Sequence, residues 1–282
     1  MSSTTAPPLH GLVHAMPDAE YHARPELSST GVRRILDSPA RYRWEQEHPP
    51  TSIAFDLGHA VHARVLGVGS PVVPIPDEHL TPSGAVSTRA ATREWLDEQR
   101  AAGLVPLAPD AAEVVDRMVE AVLAHPAARA RLEADGHPEV SAFADVDGVA
   151  CRARIDYLTD TEMVDLKTTS GTASRIGFGR DAARHGYPIQ EAHYADVLEA
   201  VRGERPAMAF VVVEKRPPHL VAVHYLDEVT RVVARDLAKR ARDTYAECLA
   251  ADTWPGYGDD PLTTQMPGWW LYQADDEEEL EF

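Results

Sequence analysis

Cys151-Arg152-Ala153-Arg154-Ile155-Asp156-Tyr157-Leu158 is followed, after a short polar turn, by Glu162-Met163-Val164-Asp165-Leu166-Lys167-Thr168, and the two runs have the alternation of paired β-strands. In a strand, successive side chains alternate faces. Asp165 and Lys167 therefore share one face, and Leu166 points the other way, into the core. In the preceding run Arg152, Arg154 and Asp156 share a face, while Cys151, Ala153, Ile155 and Tyr157 take the opposite, apolar face. Paired as a hairpin, the two strands bring Asp156 and Asp165 together near the connecting turn. Two carboxylates with a lysine beside them can hold hard cations by oxygen and position a water. The competing reading is plainer: two solvated acids beside a turn, with Lys167 an ordinary surface partner. So short a pattern recurs by chance.

Outward from this pair, the residues describe one α/β domain with a mixed central sheet flanked by helices. Strands are expected at 139–146 and 149–158, joined by Asp147-Gly148, a strong hairpin turn signal. Further strands are expected at 162–168, 207–215 and 220–226. A helix at about 189–201 lies between them, and a long helix at about 228–250 follows, with Val229, Val232, Val233, Leu237, Ala241 and Leu249 as its apolar positions. On the N-terminal side, Ser28, Ser29 and Thr30 offer caps for a helix carrying Val32, Ile35 and Leu36. Ser38-Pro39 opens a second short helix through Trp44. Phe55, Gly58, His62 and Leu66 stand near helical spacing. Residues 70–88 read as a loop. Helices are expected at 89–101 and 110–124, the latter with an apolar stripe of Ala111, Val114, Val115, Met118, Val119 and Val122. The expected organisation is a loose terminus over 1–20, a single domain over 21–273 and an acidic tail over 274–282. No internal repeat is visible.

The chain has 282 residues and a net charge of −18. That balance is awkward for binding phosphates, which calls for a basic surface. Part of the charge sits in the run 275–281, and carboxylates that await metal ions count as negative until the ions arrive. Solubility is the plain reading of the rest. Two cysteines, Cys151 and Cys248, form no CxxC pair and point away from thiolate metal centres. No apolar run approaches the roughly 20 residues of a membrane span, and the first dozen residues have no signal-peptide pattern. A cytoplasmic protein with no membrane association is expected.

Three more elements extend the pair. Glu139 adds a third carboxylate at the start of the hairpin. Gly58 and His62 form GxxxH on an upstream helix. Gln190 and Tyr194, four apart, share a helix face. The ordered set GxxxH, E, D, DxK, QxxxY resembles the RecB-like branch of the PD-(D/E)XK nucleases. The surrounding Tyr21-His22, Leu27-Ser28-Ser29-Thr30, Ser38-Pro39-Ala40-x-Tyr42, Phe55-x-x-Gly58 and Trp254-Pro255-Gly256-Tyr257 narrow it to the RecE-type exonuclease domain, over residues 20 to 270. One departure is Asp165, where many members of the superfamily carry Glu. There are no cluster cysteines and no GxxxxGK[ST] element, so neither an iron–sulfur cluster nor ATP-driven unwinding is expected in this chain.

The resemblance implies roles. Asp156, Asp165 and the Leu166 carbonyl would hold Mg²⁺, with Glu139 and His62 completing a two-ion site and Mn²⁺ as substitute. Lys167 would orient the attacking water. Gln190 and Tyr194 would position the DNA backbone or hold the lysine; alone, they read as a polar stripe. Arg152 and Arg154 would contact phosphate, or else pair with a neighbouring acid on the strand face. His59 reads as structural rather than as a zinc ligand. Arg231, Arg235, Lys239, Arg240 and Arg242 on the long helix read as a solvated face mixed with acids. The implied activity is digestion of linear double-stranded DNA from the 5′ end by a ring-shaped homo-oligomer such as a tetramer, serving a single-strand annealing protein of the RecT type. An endonuclease on the same site and a catalytically silent DNA-binding scaffold are the rival expectations.

Overall fold

The structure is a computed structural model that describes residues 9–48 and 56–271. In chain order the first elements are β1 (Gly11–Val13), α1 (Asp18–Ala23), α2 (Ser29–Asp37), α3 (Pro39–Glu47) and α4 (Asp56–Leu66). They are followed by β2 (Val72–Pro74), α5 (Ala90–Ala101), β3 (Val105–Leu107), α6 (Pro109–Ala124) and α7 (Pro126–Leu132). The core hairpin is β4 (Gly136–Val146) and β5 (Val149–Thr159), then β6 (Glu162–Thr169). Next come α8 (Arg175–His185), α9 (Tyr187–Arg202), β7 (Ala207–Glu214), β8 (Val221–His224), α10 (Glu228–Ala251) and the short α11 (Gly268–Leu271).

Six strands form one sheet in the order β1-β4-β5-β6-β7-β8. All neighbours are antiparallel except β6 and β7, which run parallel and are linked by the α8–α9 crossover. This is the expected mixed sheet. The β4–β5 hairpin closes through Asp147 and Gly148, both at positive φ (56° and 82°), the conformation a tight hairpin turn requires. β7 is buried on both faces: Met208, Phe210 and Val212 pack on one side and Val211 and Val213 on the other. A continuous apolar run is what a central strand covered by helices demands.

Two apolar layers sandwich the sheet. On one face α2, α8, α9 and α10 bury Val32, Ile35, Phe178, Val197, Leu198 and Ala238 against β4, β5 and β7. On the other, α4 and α6 bring Ala60, Val61, Val115, Met118 and Val122 onto Val164, Leu166, Val211 and Val213. The caps read from sequence operate: Ser28 Oγ accepts from Gly31 N and Ser38 Oγ from Arg41 N, each relieving an orphan donor of a first turn.

Several expectations change. Residues 11–13, read as part of a loose end, pair with β4 as an edge strand, and α1 follows at once. Residues 72–74, read as loop, pair in parallel with β3 in a separate two-stranded sheet. Three-residue strands have no periodicity to detect, and their partners lie far along the chain. Helices α7 and α8 were also not foreseen. Phe55 and the tail over 274–282 lie outside the described residues.

α9 crosses the sheet with its polar residues buried, among them Gln190, Glu191, His193 and Asp196. His193 is fully buried, and its Nε2 donates to the Arg152 carbonyl at 3.0 Å, tying α9 to β5. Burial holds its imidazole down to about 4 from an ordinary 6.5. The unfolded chain takes up this proton as pH falls through 6.5, but the folded protein does so only near 4. The stability is therefore complete above pH 7 and is lost as pH falls. Between pH 7 and pH 5 the wild type is expected to lose about 2 kcal/mol more unfolding free energy than His193→Gln, by urea titration. Equal losses would show that His193 is not the group responsible.

Candidate active site

Three strands bring three acids into one row. β4 and β5 pair Pro138 with Tyr157 and Val140 with Ile155. β5 and β6 pair Leu158 with Met163 and Tyr157 with Val164, and the ladder stops there. One step further in both registers aligns Glu139, Asp156 and Asp165. At this step the strands separate, and the Leu166 N–H donates to Asp156 Oδ2 at 2.8 Å.

The row coincides with a break in the pleat. Glu139 has φ +51°, a left-handed conformation that costs a non-glycine residue on the order of 1 kcal/mol. The apolar alternation of β5 slips at the same place. Cys151, Ala153 and Ile155 face the α9 layer as expected, but Tyr157 packs on the opposite layer and Leu158 takes its place. Simple alternation cannot foresee this, because the pleat is interrupted at Asp156.

His62, on α4, closes the row. Its Nε2 lies 2.6 Å from Asp156 Oδ2 and its Nδ1 lies 3.2 Å from Glu139 Oε1. Lys167 Nζ lies 2.7 Å from Asp165 Oδ2 and 4.9 Å from the centre of the Tyr187 ring. Gln190 Nε2 donates to Asp165 Oδ1 at 2.7 Å. His62, Asp156, Asp165, Lys167 and Gln190 line one cleft of about 790 Å³ together with Gly58, His59 and Leu166, whereas Glu139 does not line it and is joined to it through His62. Leu166 buries its side chain on the far face, as expected.

The charges are strongly coupled. Burial would lower the His62 imidazolium, but the carboxylates of Asp156 and Glu139 outweigh it and hold it up to about 10. Burial raises Asp156, yet His62 and Lys167 prevail and its carboxyl sits below the ordinary range. Asp165 is raised by burial and by Asp156, against the pull of Lys167. Lys167 is lowered by burial but raised more by Asp165 and Asp156, so it stays charged.

The remaining candidates divide. Gln190 reaches the row, where it orients Asp165 rather than the lysine. Tyr194 does not line the cleft. It is buried in the apolar core, with its hydroxyl bonded to Ser29 and pushed well above its ordinary value by burial. Arg152 is buried, and its guanidinium donates to the carbonyls of Tyr21 and Arg24. Arg154 donates to Glu139 Oε2 at 2.7 Å and to the Met16 carbonyl at 2.6 Å. For Arg154 the reading as partner of a neighbouring acid therefore applies, and neither arginine lines the cleft. On α10, Arg231, Arg235, Lys239 and Arg242 pair with acids. Sequence reading missed Arg33, Arg34, Arg184, His185 and Tyr187, which do line the cleft. A usable signal existed in Gly186-Tyr187-Pro188: Gly186 ends α8 at φ +68° and Pro188 opens α9, the usual stop and start residues of helices.

The donor set suits a hard divalent cation: three carboxylates and one imidazole, which as a ligand would have to be neutral. Among the described residues, no group of three or more acid, histidine or cysteine side chains is arranged so that it could hold a metal ion. The donors are paired with one another instead, His62 bridging Glu139 and Asp156.

The comparisons with known proteins agree with this architecture. The family model described as "PDDEXK-like domain of unknown function (DUF3799)" matches residues 28–261, a span that contains every residue of the row. The chain belongs to this PDDEXK-like family. No curated protein matches the sequence. A candidate exonuclease from Eubacterium rectale shares the fold of this PDDEXK-like chain at TM-score 0.60 and 13% identity, over 92% of this chain and 98% of its own. An alkaline exonuclease from Laribacter hongkongensis matches at 16% identity over 59% of this chain and 86% of its own, but its TM-score of 0.26 is too low to establish a shared fold.

Proposed function

We propose that this PDDEXK-like protein is a divalent-metal-dependent nuclease that degrades linear double-stranded DNA from its ends. The observation that carries the reading is the row Glu139–Asp156–Asp165 with Lys167 ion-paired to its last member. Asp156, Asp165 and Lys167 lie on one wall of an open cleft, with His62 tying Asp156 to Glu139, a set of residue types suited to phosphodiester hydrolysis. The fold shared with a candidate exonuclease supports the reading. Digestion from the 5′ end, a ring-shaped homo-oligomer, a RecT-type annealing partner and Mg²⁺ as the metal (two ions, Mn²⁺ as substitute) rest on the RecE-type sequence resemblance and belong to the same proposal.

Glu139, Asp156, Asp165 and the Leu166 carbonyl would hold the metal, with His62 as a neutral imidazole. When bound, a divalent ion supplies charge stabilisation to the phosphoryl oxygens. The protein's own groups do the rest. Lys167, held charged between Asp165 and the Tyr187 ring, donates to a scissile phosphate oxygen and to the attacking water. Gln190 fixes the rotamer of Asp165. Arg154 fixes Glu139 from behind, anchored to the Met16 carbonyl.

Linear duplex labelled at one 5′ end, digested beside a covalently closed circle, tests the reading. Release of the label with Mg²⁺, a spared circle and no cleavage in chelator are expected. A cut circle would replace the exonuclease by an endonuclease, and no cleavage with either Mg²⁺ or Mn²⁺ would overturn the nuclease. Arg154→Gln is expected to slow turnover about tenfold, as loss of an outer support of a metal ligand does. The salt dependence of its DNA binding should be unchanged. A shallower salt dependence at unchanged turnover would return Arg154 to the role of a phosphate contact.

A further inference from the structure

Arg152 and Arg154 are engaged inside the protein, yet the cleft has a cationic wall of its own. It faces the acids and is built from Arg33 and Arg34 on α2, Arg184 and His185 at the end of α8, and Tyr187 at the start of α9. Arg184 is exposed and has no hydrogen bond or carboxylate partner among the described residues. Arg33 is half-buried and likewise has no carboxylate partner among them. Its Nε donates to the Ser29 carbonyl at 3.3 Å, one terminal nitrogen to Thr30 Oγ1 at 3.1 Å and the other to the His185 carbonyl. A guanidinium carries five N–H donors, so three engaged leave two free.

Arg33 forms no ion pair among the described residues of a chain with net charge −18, and Asp165 on the same cleft supplies only a longer-range attraction. Arginines elsewhere, such as Arg131, Arg205 and Arg242, sit against carboxylates. Burying a charge without a counter-charge costs several kcal/mol, and an anionic ligand removes that cost. The position is also held tightly. A Cβ at Gly186 would come within 2.7 Å of Arg33 Cδ, so the stem of Arg33 and the φ of +68° both demand glycine there. Tyr187 joins this wall to the reacting side, since Lys167 Nζ lies over its ring.

We infer that Arg33 and Arg184 form a phosphate anchor that holds a backbone phosphate of the bound DNA strand beside the one that reacts at Asp165. The inference rests on the nuclease reading and names the part of the substrate this wall takes. Arg34 contributes less, because it is already paired with Glu45 at 2.9 Å.

Fluorescence anisotropy with a fluorescein-labelled duplex carrying a single-stranded 5′ end tests it. The assay is run in Ca²⁺, to hold the DNA uncut, over a series of salt concentrations, and cleavage is measured separately in Mg²⁺. Arg184→Gln, at an exposed position, is expected to melt like wild type. Its Kd should rise about fivefold and its log–log salt slope fall by about 1. Arg33→Gln should do the same, whereas Arg240→Gln, on α10 outside the cleft, should do neither. If wild type binds and cuts but both cleft variants keep its affinity and salt slope, the anchor is wrong and the nuclease stands. If wild type neither binds nor cuts DNA, the nuclease reading fails and the anchor falls with it.

Discussion

The Asp165→Asn protein is expected to lose at least about 10³-fold in DNA cleavage rate, the scale of removing one group that stabilises a transition state electrostatically. The substitution keeps the shape of the side chain, and the remaining carbonyl oxygen can still accept from Gln190. It removes the negative charge that burial and Asp156 already oppose. Folding is therefore expected to change by no more than about 1 kcal/mol, since active-site acids of this kind exist at the expense of stability. The check is a cleavage time course beside a thermal melt. Retained cleavage with an intact melt would remove Asp165 from the machinery. Lost cleavage with a collapsed melt would call for Asp165→Glu, which restores the charge.

Phe210→Ala is expected to cost about 3–5 kcal/mol, the range for emptying a buried aromatic site. Phe210 is fully buried on β7, with its ring centroid 5.4 Å from that of Phe178 and 6.1 Å from that of Tyr187. These rings connect the sheet to the α8–α9 turn, and through it to Gln190 and the cationic wall. The cavity should therefore loosen the site as well as the fold, so residual cleavage should fall even under conditions where the variant remains native. Urea unfolding supplies the first number and cleavage below the melting range the second. A loss under about 1 kcal/mol would mean that the crossover does not depend on this packing.

What was legible in the sequence follows from what is local. Asp147-Gly148 specifies a turn by backbone conformation alone, so β4 and β5 could be found and their register counted from it. The alternation of Asp165, Leu166 and Lys167 needs only the pleat, and the structure keeps it: Leu166 in the core, the other two in the cleft. What was not legible is non-local. Arg152 and Arg154 share the face of Asp156, but their partners come from the N-terminal segment, through Met16, Tyr21 and Arg24, more than 120 residues away. Tyr194 has helical spacing from Gln190, but Gln190 lines the cleft while Tyr194, one turn further along α9, packs in the core. The cationic wall depends on α8, whose residues carry too many glycines and arginines to display an apolar stripe.

If the row Glu139–Asp156–Asp165 binds the divalent ion used in DNA cleavage, the ion's affinity depends on Asp165. Titration of Mn²⁺ into wild-type and Asp165→Asn proteins, followed by the paramagnetic signal of the free ion, tests it most directly. Uptake by the wild type and none, or far weaker uptake, by the variant is expected, with DNA cleavage following the same order. Equal uptake by both proteins, or cleavage by a wild type that takes up no Mn²⁺, would contradict it.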